Sequence, residues 1–147
     1  MPYFEIGVYN ARNDENIGTL WRSAYQLGAA GIFTIGRRYR YQPADTQHAY
    51  QQIPLRCYTT FEEFLQARPM SAQLIGIEMG GLPLSGFQHP PQAIYLLGSE
   101  AMGLPARILE QCNAVVSLES VVYPSYNVAV SGSIVLYHRV FLGGLSA

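Results

Sequence analysis

The sequence contains no lysine, and its nine basic residues are all arginine. Ten acidic residues nearly balance them, so the net charge is -1. This balance gives no overall basic signal, and a function in nucleic-acid binding would need a local basic patch. Arginine suits bidentate phosphate contacts and stacking on rings. The base composition of the genome explains the exclusive use of arginine about equally well.

Cysteine and histidine are also scarce. Cys57 and Cys112 are far apart in sequence, and His48, His89 and His138 are scattered without metal-ligand spacing. We therefore expect no metal site. The two cysteines are expected to be reduced, part-buried thiols of a cytoplasmic protein.

Long apolar runs are missing as well. No stretch approaches the roughly 20 apolar residues of a membrane span, and the first residues lack the basic and apolar regions of a signal peptide. We expect a cytoplasmic protein that is not membrane-bound. Its 147 residues predict one domain, over residues 1–147, that is long enough to bury a core.

Nucleotide fingerprints are the last absence. The glycine-rich stretch 76–86 contains neither G-x-G-x-x-G nor the G-K-S/T of a phosphate-binding loop. A nicotinamide-dependent enzyme is therefore disfavoured.

What the sequence does contain is an alternation of short apolar runs and helical periodicity. Strands are predicted at Phe4–Tyr9, Ile32–Ile35, Leu55–Tyr58, Leu74–Ile77, Ile94–Leu97 and Ala114–Leu118. Helices are predicted from about Ile17 to Leu27, from Thr60 to just before Pro69, around Pro105, and from Ser125 or Asn127 to about Phe141. Residues 82–92 are expected to form an irregular connection. This order predicts an α/β fold with a mostly parallel sheet and helices on both faces.

Polar residues follow the last two predicted strands. Gly98, Ser99 and Glu100 come directly after one buried run, and Ser125 and Asn127 are good N-caps for the last helix. Two strand ends and one helix start therefore converge, at the edge where open α/β sheets bind ligands.

A second candidate site follows the strand Ile32–Ile35. Arg37, Arg38 and Arg40 alternate with Tyr39 and Tyr41. Guanidinium groups bind phosphates and tyrosine rings stack on bases, so this pattern favours RNA binding. A solvated loop whose long side chains extend over the surface is the alternative interpretation.

Three stretches carry a resemblance to a known family. They are Asn16–Ala24 (N-I-G-T-L-W-R-S-A), Gly98–Leu104 (G-S-E-A-M-G-L) and Ser125–Val130 (S-Y-N-V-A-V). In this order they resemble the three motifs of the SpoU/TrmH family, which are RNA ribose 2'-O-methyltransferases of the SPOUT superfamily. The similarity is to the minimal single-domain members, several of which act on tRNA.

The resemblance implies a fold, a cofactor and partners. It implies a C-terminal trefoil knot that holds S-adenosylmethionine, an RNA substrate (tRNA or rRNA), no metal, and a homodimer whose active site is completed across the interface. The small residues Ala129, Ser131, Gly132 and Ser133 would allow close approach of two copies. They fit packing within one chain equally well.

The resemblance also assigns roles to individual residues. Asn16 would orient Arg22 or the substrate, Arg22 would act at the target ribose, and Ser125 and Asn127 would line the reaction centre. The implied cofactor-binding residues are Ile77, Gly80, Gly98, Glu100, Gly103, Val116, Leu118 and Ser125. The expected RNA contacts are Arg12, Arg22, Arg37, Arg38, Tyr39 and Arg40.

The sequence departs from the family's pattern at one place. The third motif usually begins with Ile-Pro-Met or similar and a following glycine, whereas this chain has Val116–Ser120 (V-S-L-E-S). Among the expectations, this departure most affects the contacts expected between the cofactor and this loop.

Two other functions stay open at this stage. A non-catalytic RNA-binding homologue would keep the arginine–tyrosine segment but could lose Asn16, Arg22, Glu100, Ser125 and Asn127, which are all present here. A small nucleotide-binding or regulatory α/β module would need no such segment. Calorimetry with S-adenosylmethionine would separate both from the enzyme.

Overall fold

A six-stranded parallel sheet forms the centre of the molecule. The computed structural model describes residues 2–36 and 52–147. The strands are β1 (Tyr3–Tyr9), β2 (Ile32–Ile35), β3 (Leu55–Tyr58), β4 (Gln73–Pro83), β5 (Gln92–Leu97) and β6 (Ala114–Ser117). Their order in the sheet is β3-β2-β1-β5-β4-β6, and each neighbouring pair is parallel. The predicted fold class is confirmed.

Helices cover both faces of this sheet. They are α1 (Asp14–Gln26), α2 (Phe61–Ala67), α3 (Ala106–Leu109) and α4 (Val128–Tyr137). One buried cluster joins the sheet to α1 and α4, and the other joins it to α2 and α3. Strand β5 serves both, because Tyr95 and Leu97 point into the first cluster while Ile94 and Leu96 point into the second.

Helix α1 begins three residues before the predicted Ile17 and ends beside the predicted Leu27. The side chain of Asn13 accepts a hydrogen bond from the Glu15 backbone N–H, at 2.8 Å, and so caps the N-terminus. Four apolar residues at helical spacing are buried against the sheet: Ile17, Leu20, Trp21 and Ala24. Gly28 follows the helix with a φ of 87°, in the left-handed region that suits a C-terminal glycine. Helix α1 therefore holds its first turn at a fixed place over the sheet.

Strand β4 is longer than predicted. It continues from Ile77 to Pro83, through residues that the sequence assigns partly to an irregular connection. The register against β6 shifts between Ile77 and Leu82, so both Ile77 and Leu82 pair with Val116. Gly80, with a φ of 87°, allows the chain to leave the sheet and return. The interruption places residues 78–81 at the carboxyl edge of the sheet.

Helix α4 ends earlier than predicted and changes form. A π-helical segment, His138–Leu142, follows it, and the Gly143 N–H donates to the His138 carbonyl at 2.7 Å. The small residues of α4 pack within the chain: Gly132 is buried against Leu20, and the Ser133 hydroxyl donates to Ser23 at 2.8 Å. Of the two interpretations of these small residues, the structure shows the intramolecular one.

Two further expectations concern the burial of the two thiols and the presence of membrane spans. Cys112 is partly buried, and burial raises the pKa of its thiol to about 11. Cys57 is exposed, so the expectation of two part-buried thiols is wrong for it, because it lies on edge strand β3. Within residues 2–36 and 52–147, no helix has the length and apolar character needed to cross a membrane.

Candidate active site

A cleft of about 220 Å³ lies beside the interruption of β4 and at the carboxyl ends of β5 and β6. Its walls are the loop after Ile77, the loop 98–103, Leu118 and the start of α4. Ile77 of β4 pairs with Leu97 of β5 in a buried parallel register, so the segments that follow these two residues lie at one edge of the sheet. The predicted cofactor residues that line the cleft are Ile77, Gly98, Glu100, Gly103, Leu118 and Ser125.

Three side chains from distant parts of the chain are hydrogen-bonded to one another beside this cleft. The Asn16 Nδ2 donates to Glu100 Oε1 at 2.8 Å. The Asn127 Nδ2 donates to the same oxygen at 2.9 Å and to Asn16 Oδ1 at 3.0 Å. Each of the three residues comes from one of the three predicted motifs. We call this arrangement the Asn–Glu–Asn triangle.

Helix ends fix the triangle in place. Asn127 is the N-cap of α4, and its Oδ1 accepts from the Val130 N–H at 3.1 Å. Asn16 lies in the first turn of α1. Glu100 stands two residues beyond Gly98, where β5 has ended. The carboxylate therefore accepts two amide hydrogen bonds, and both amides are oriented by it.

A second cleft, of about 110 Å³, adjoins the first on the side of α1. Arg12, Asn13 and Asn16 form one wall, and Ser99, Glu100 and Ala101 form the other. Arg12 is exposed there, which places one predicted RNA contact next to the triangle. This second cleft thus places a cation in the same cleft as the Glu100 carboxylate.

Other predicted residues lie away from the clefts. Val116 is buried in β6, and Gly80 stands at the interruption of β4; neither lines the cleft of 220 Å³. Arg22 is exposed on α1 and lines neither cleft. Arg22 follows Asn16 by six residues, which turns it well round the helix from the triangle. Arg37, Arg38, Tyr39 and Arg40 lie outside the described residues.

Glu78 is a cleft residue that the sequence analysis missed. It lines the cleft of 220 Å³, and its Oε2 accepts from the Leu104 N–H at 2.6 Å. Its Oε1 accepts from the Met79 N–H at 3.0 Å. The available signal was its position, since it is the first polar residue after the buried run Leu74–Ile77.

The loop that departs from the family's pattern is held by its own contacts. Glu119 Oε1 accepts from the Ser85 N–H at 3.2 Å, and hydrogen bonds from Ser85 lower the pKa of the Glu119 carboxyl. The Tyr126 hydroxyl donates to the Glu119 carbonyl at 2.6 Å. Glu119 therefore ties the loop after β6 to the segment after β4, outside the cleft of 220 Å³.

Metal ligation finds no support in the part of the chain that the structure describes. No group of three or more His, Cys, Asp or Glu side chains there could hold a metal ion. The polar side chains of the clefts carry carboxylates, carboxamides, serine hydroxyls, the Tyr126 hydroxyl and one guanidinium.

Comparison with known proteins agrees with the geometry. A family model described as the SpoU rRNA methylase family matches residues 3–137. This range covers almost all of the 147 residues and includes all three motifs. The chain belongs to the SpoU rRNA methylase family. The methyl donor of the family is S-adenosylmethionine.

Individual relatives of this SpoU-family chain share only low sequence identity with it. The mouse tRNA (guanosine(18)-2'-O)-methyltransferase TARBP1 is 27% identical over 132 residues. That match covers 83% of this chain and 8% of TARBP1, so the chain spans a small part of the length of this curated relative.

Solved structures show the same fold. The SpoU methyltransferase AviRb from Streptomyces viridochromogenes, in complex with AdoMet, has a TM-score of 0.80 at 22% identity, over 92% of this chain and 56% of that one. A structure reported as giving insights into the 2-OH methylation of C/U34 on tRNA has a TM-score of 0.81 at 21% identity, over 93% of each chain. The same fold therefore extends over 92% to 93% of this chain.

The larger cleft fits S-adenosylmethionine by its chemistry. Serine hydroxyls at Ser99, Ser125 and Ser131 and the backbone of the loop 98–103 offer partners for the hydroxyls and ring atoms of an adenosine. Glu78 and Glu100 offer carboxylates to its positively charged groups. Tight loops can bind an adenosine in this way without many charged side chains.

Proposed function

We propose that this SpoU-family domain methylates a ribose 2'-oxygen of RNA, with S-adenosylmethionine bound in the cleft of 220 Å³. The observation that carries the proposal is the Asn–Glu–Asn triangle. It joins residues 16, 100 and 127 at the mouth of the cleft, next to Arg12 and Ser125.

The triangle suits a reaction that depends on alignment. Bound S-adenosylmethionine supplies an electrophilic methyl group on a sulfonium. A ribose 2'-hydroxyl is a poor nucleophile, so the protein must orient it and stabilise charge as its proton leaves. Asn16 and Asn127 present carboxamides whose orientation is fixed by Glu100. Ser125 adds a hydroxyl at the same edge of the cleft.

Two arginines would hold the RNA. Arg12 lines the smaller cleft beside Asn16 and Glu100, where its guanidinium would bind a phosphate of the substrate. Arg22 lies away from both clefts of its own chain. Its implied role at the target ribose therefore requires a second copy of the chain. The segment with Arg37, Arg38, Tyr39 and Arg40 stays a predicted RNA contact.

The outer face of α4 and of the π-helical segment after it supports a homodimer. Val130, Ile134, Tyr137 and Phe141 recur at helical spacing with exposed fractions between 37% and 63%. Exposed apolar stripes of this kind mark interfaces. A second copy is the occupant that also brings an Arg22 to the site. The trefoil knot, the single-domain extent over residues 1–147 and the cytoplasmic location stay predictions.

The substrate class comes from the relatives. TARBP1 is a tRNA 2'-O-methyltransferase, and one structure with the same fold concerns 2-OH methylation of tRNA. We therefore infer that tRNA is the first substrate to test and rRNA the second.

Purified protein incubated with labelled S-adenosylmethionine and total tRNA, or with rRNA in parallel, tests the proposal. Label should appear in RNA, and digestion to nucleosides should release a 2'-O-methylnucleoside. Asn127→Ala should abolish the incorporation, because it opens two sides of the triangle. RNA binding without incorporation would favour the non-catalytic homologue.

A further inference from the structure

We propose that Glu78 makes the cleft selective for a positively charged ligand, so that S-adenosylmethionine binds in preference to S-adenosylhomocysteine. The inference rests on the cofactor cleft of the proposed function. The two molecules differ by one methyl group and one charge: the sulfonium carries a positive charge that the thioether product lacks. A carboxylate in the wall of the cleft attracts the charged sulfonium and does not attract the uncharged thioether in the same way.

Contacts with two loops hold the Glu78 carboxylate in the wall. Its residue follows Ile77, where the chain leaves its register with β6. One oxygen accepts from the Met79 N–H at 3.0 Å, and the other accepts from the Leu104 N–H at 2.6 Å. The carboxylate therefore has a defined position between residues 78–81, at the interruption of β4, and the loop after β5.

Gly103 brings the second loop against this carboxylate. Its φ is 64°, and a Cβ at this position would overlap Glu78 Oε2. Only glycine permits such a close approach together with the left-handed backbone. The loop that forms one wall of the cleft is thus built around the Glu78 side chain.

No cation of the cleft offsets this charge. The lining residues, all of them described, include no Lys, Arg or His, and their only carboxylates belong to Glu78 and Glu100. The Glu100 carboxylate is engaged with Asn16 and Asn127 and shares the smaller cleft with Arg12. Glu78 forms no ion pair within residues 2–36 and 52–147. It is therefore the carboxylate whose field acts on a ligand of the larger cleft.

The consequence is a preference based on charge. A part-buried carboxylate attracts a cation much more strongly than an exposed one does, because less water screens it. The thioether sulfur of the product carries no charge and gains nothing from this attraction. Selection by charge would therefore speed release of the product after each turnover.

Isothermal titration calorimetry on the full chain tests the inference. The ligands are S-adenosylmethionine, sinefungin (a stable analogue with a protonated amine in place of the sulfonium) and S-adenosylhomocysteine. Wild-type protein should bind both cationic ligands more tightly than the neutral one. Glu78→Gln keeps the shape of the side chain and should reduce this preference by about tenfold. Glu110→Gln removes an exposed carboxylate outside the cleft and should leave the preference unchanged.

The outcomes separate the charge from the structural role of Glu78. An equal loss of affinity for all three ligands in Glu78→Gln would reduce Glu78 to a loop anchor and overturn the inference, with the cofactor cleft intact. Failure of the wild type to bind any of them would overturn the cleft assignment itself. If the variant does not fold, the wild type decides. Its preference should shrink between about 0.05 M and about 0.5 M salt, and a preference independent of salt would contradict the inference.

Discussion

Single side chains determine the chemistry of the site, and the first of them to test is Arg22. It is the cation of the first motif, yet it is exposed and lies away from both clefts of its own chain. Arg22→Ala should lower the methylation rate by about 100-fold, the scale on which one electrostatic donor acts in a transition state. Calorimetry should show unchanged affinity for S-adenosylhomocysteine. A rate within a factor of about three of wild type would mean that Arg22 is only a solvated surface residue without a role in the reaction.

A second residue-scale feature is the buried network around His89, at the far end of α4. The His89 ring hydrogen-bonds to the Tyr95 hydroxyl at 2.6 Å and to the His138 ring at 2.8 Å, and Arg139 donates to Tyr95 at 3.1 Å. Burial, with the charges of His138 and Arg139, lowers the pKa of His89 from its ordinary 6.5 to about 4. His89 is therefore neutral in the folded protein at pH 7.

This network predicts loss of stability in acid. Between the unfolded pKa of 6.5 and the folded pKa of about 4, the unfolded chain takes up a proton at His89 that the folded chain refuses. The free energy of unfolding should thus fall by about 2 kcal/mol between pH 7 and about pH 4.5 through this group. Urea titrations of wild type and His89→Gln at both pH values measure it. An equal fall in the two proteins would contradict the assignment to His89.

Secondary-structure elements were predicted well where local chemistry decides them. Asn13 is a residue type that caps helices, and Thr60 with Glu63 matches the capping-box pattern; both caps form, at the starts of α1 and α2. The course of β4 beyond Ile77 was not predictable, because Leu82 re-pairs with Val116, a residue more than thirty positions away. Local sequence does not encode such a non-local pairing.

For the candidate site too, the sequence predicts the residues within the motifs, and it does not predict contacts that depend on distant parts of the chain. The three motifs identified Asn16, Glu100 and Asn127, and the structure brings them into hydrogen-bond contact. Glu78 lies outside these motifs, and its role depends on the distant Leu104 N–H. The location of Arg22 relative to the clefts depends on the rotation of α1 against the sheet, which a motif does not specify.

Packing of α1 against α4 is a testable element-scale feature. A Cβ on Gly132 would overlap the Leu20 side chain and press on Leu97 and Ile6. Gly132→Leu should therefore destabilise the protein by about 3 kcal/mol through overpacking. Gly86→Leu is the matched control, because a Cβ there meets nothing within 4 Å. Urea unfolding should show the first effect and a change of less than about 0.5 kcal/mol for the second. Equal effects would mean that the helices do not pack at Gly132.

At the scale of the whole molecule, the proposed function requires two copies of the chain. Light scattering at micromolar concentration should give twice the chain mass of 16.3 kDa. Ile134→Glu puts a charge into the apolar stripe of α4 and should yield a monomer without activity. Met70→Glu, at a side chain that is 83% exposed after α2, should leave the dimer intact. A wild-type monomer that methylates RNA would refute the dimer.

Mixing two inactive variants tests whether Arg22 acts across the dimer. Arg22→Ala leaves the Asn–Glu–Asn triangle of its own chain intact, and Asn127→Ala leaves its own Arg22 intact. A mixed dimer contains one complete site if Arg22 acts on the other chain. Co-refolded mixtures should therefore regain activity that neither variant shows alone. No recovery, with mixed dimers verified by mass, would place Arg22 in the site of its own chain.

The identity of the acceptor atom is the central claim, and one substrate tests it most directly. Once the methylated nucleotide has been mapped, the same RNA is synthesised with a single 2'-deoxyribose at that position. The account predicts that methylation of this RNA falls to background while its binding persists, because the only acceptor oxygen is missing. Undiminished methylation of the deoxy substrate would show that a base atom is the acceptor, and the ribose assignment would be wrong.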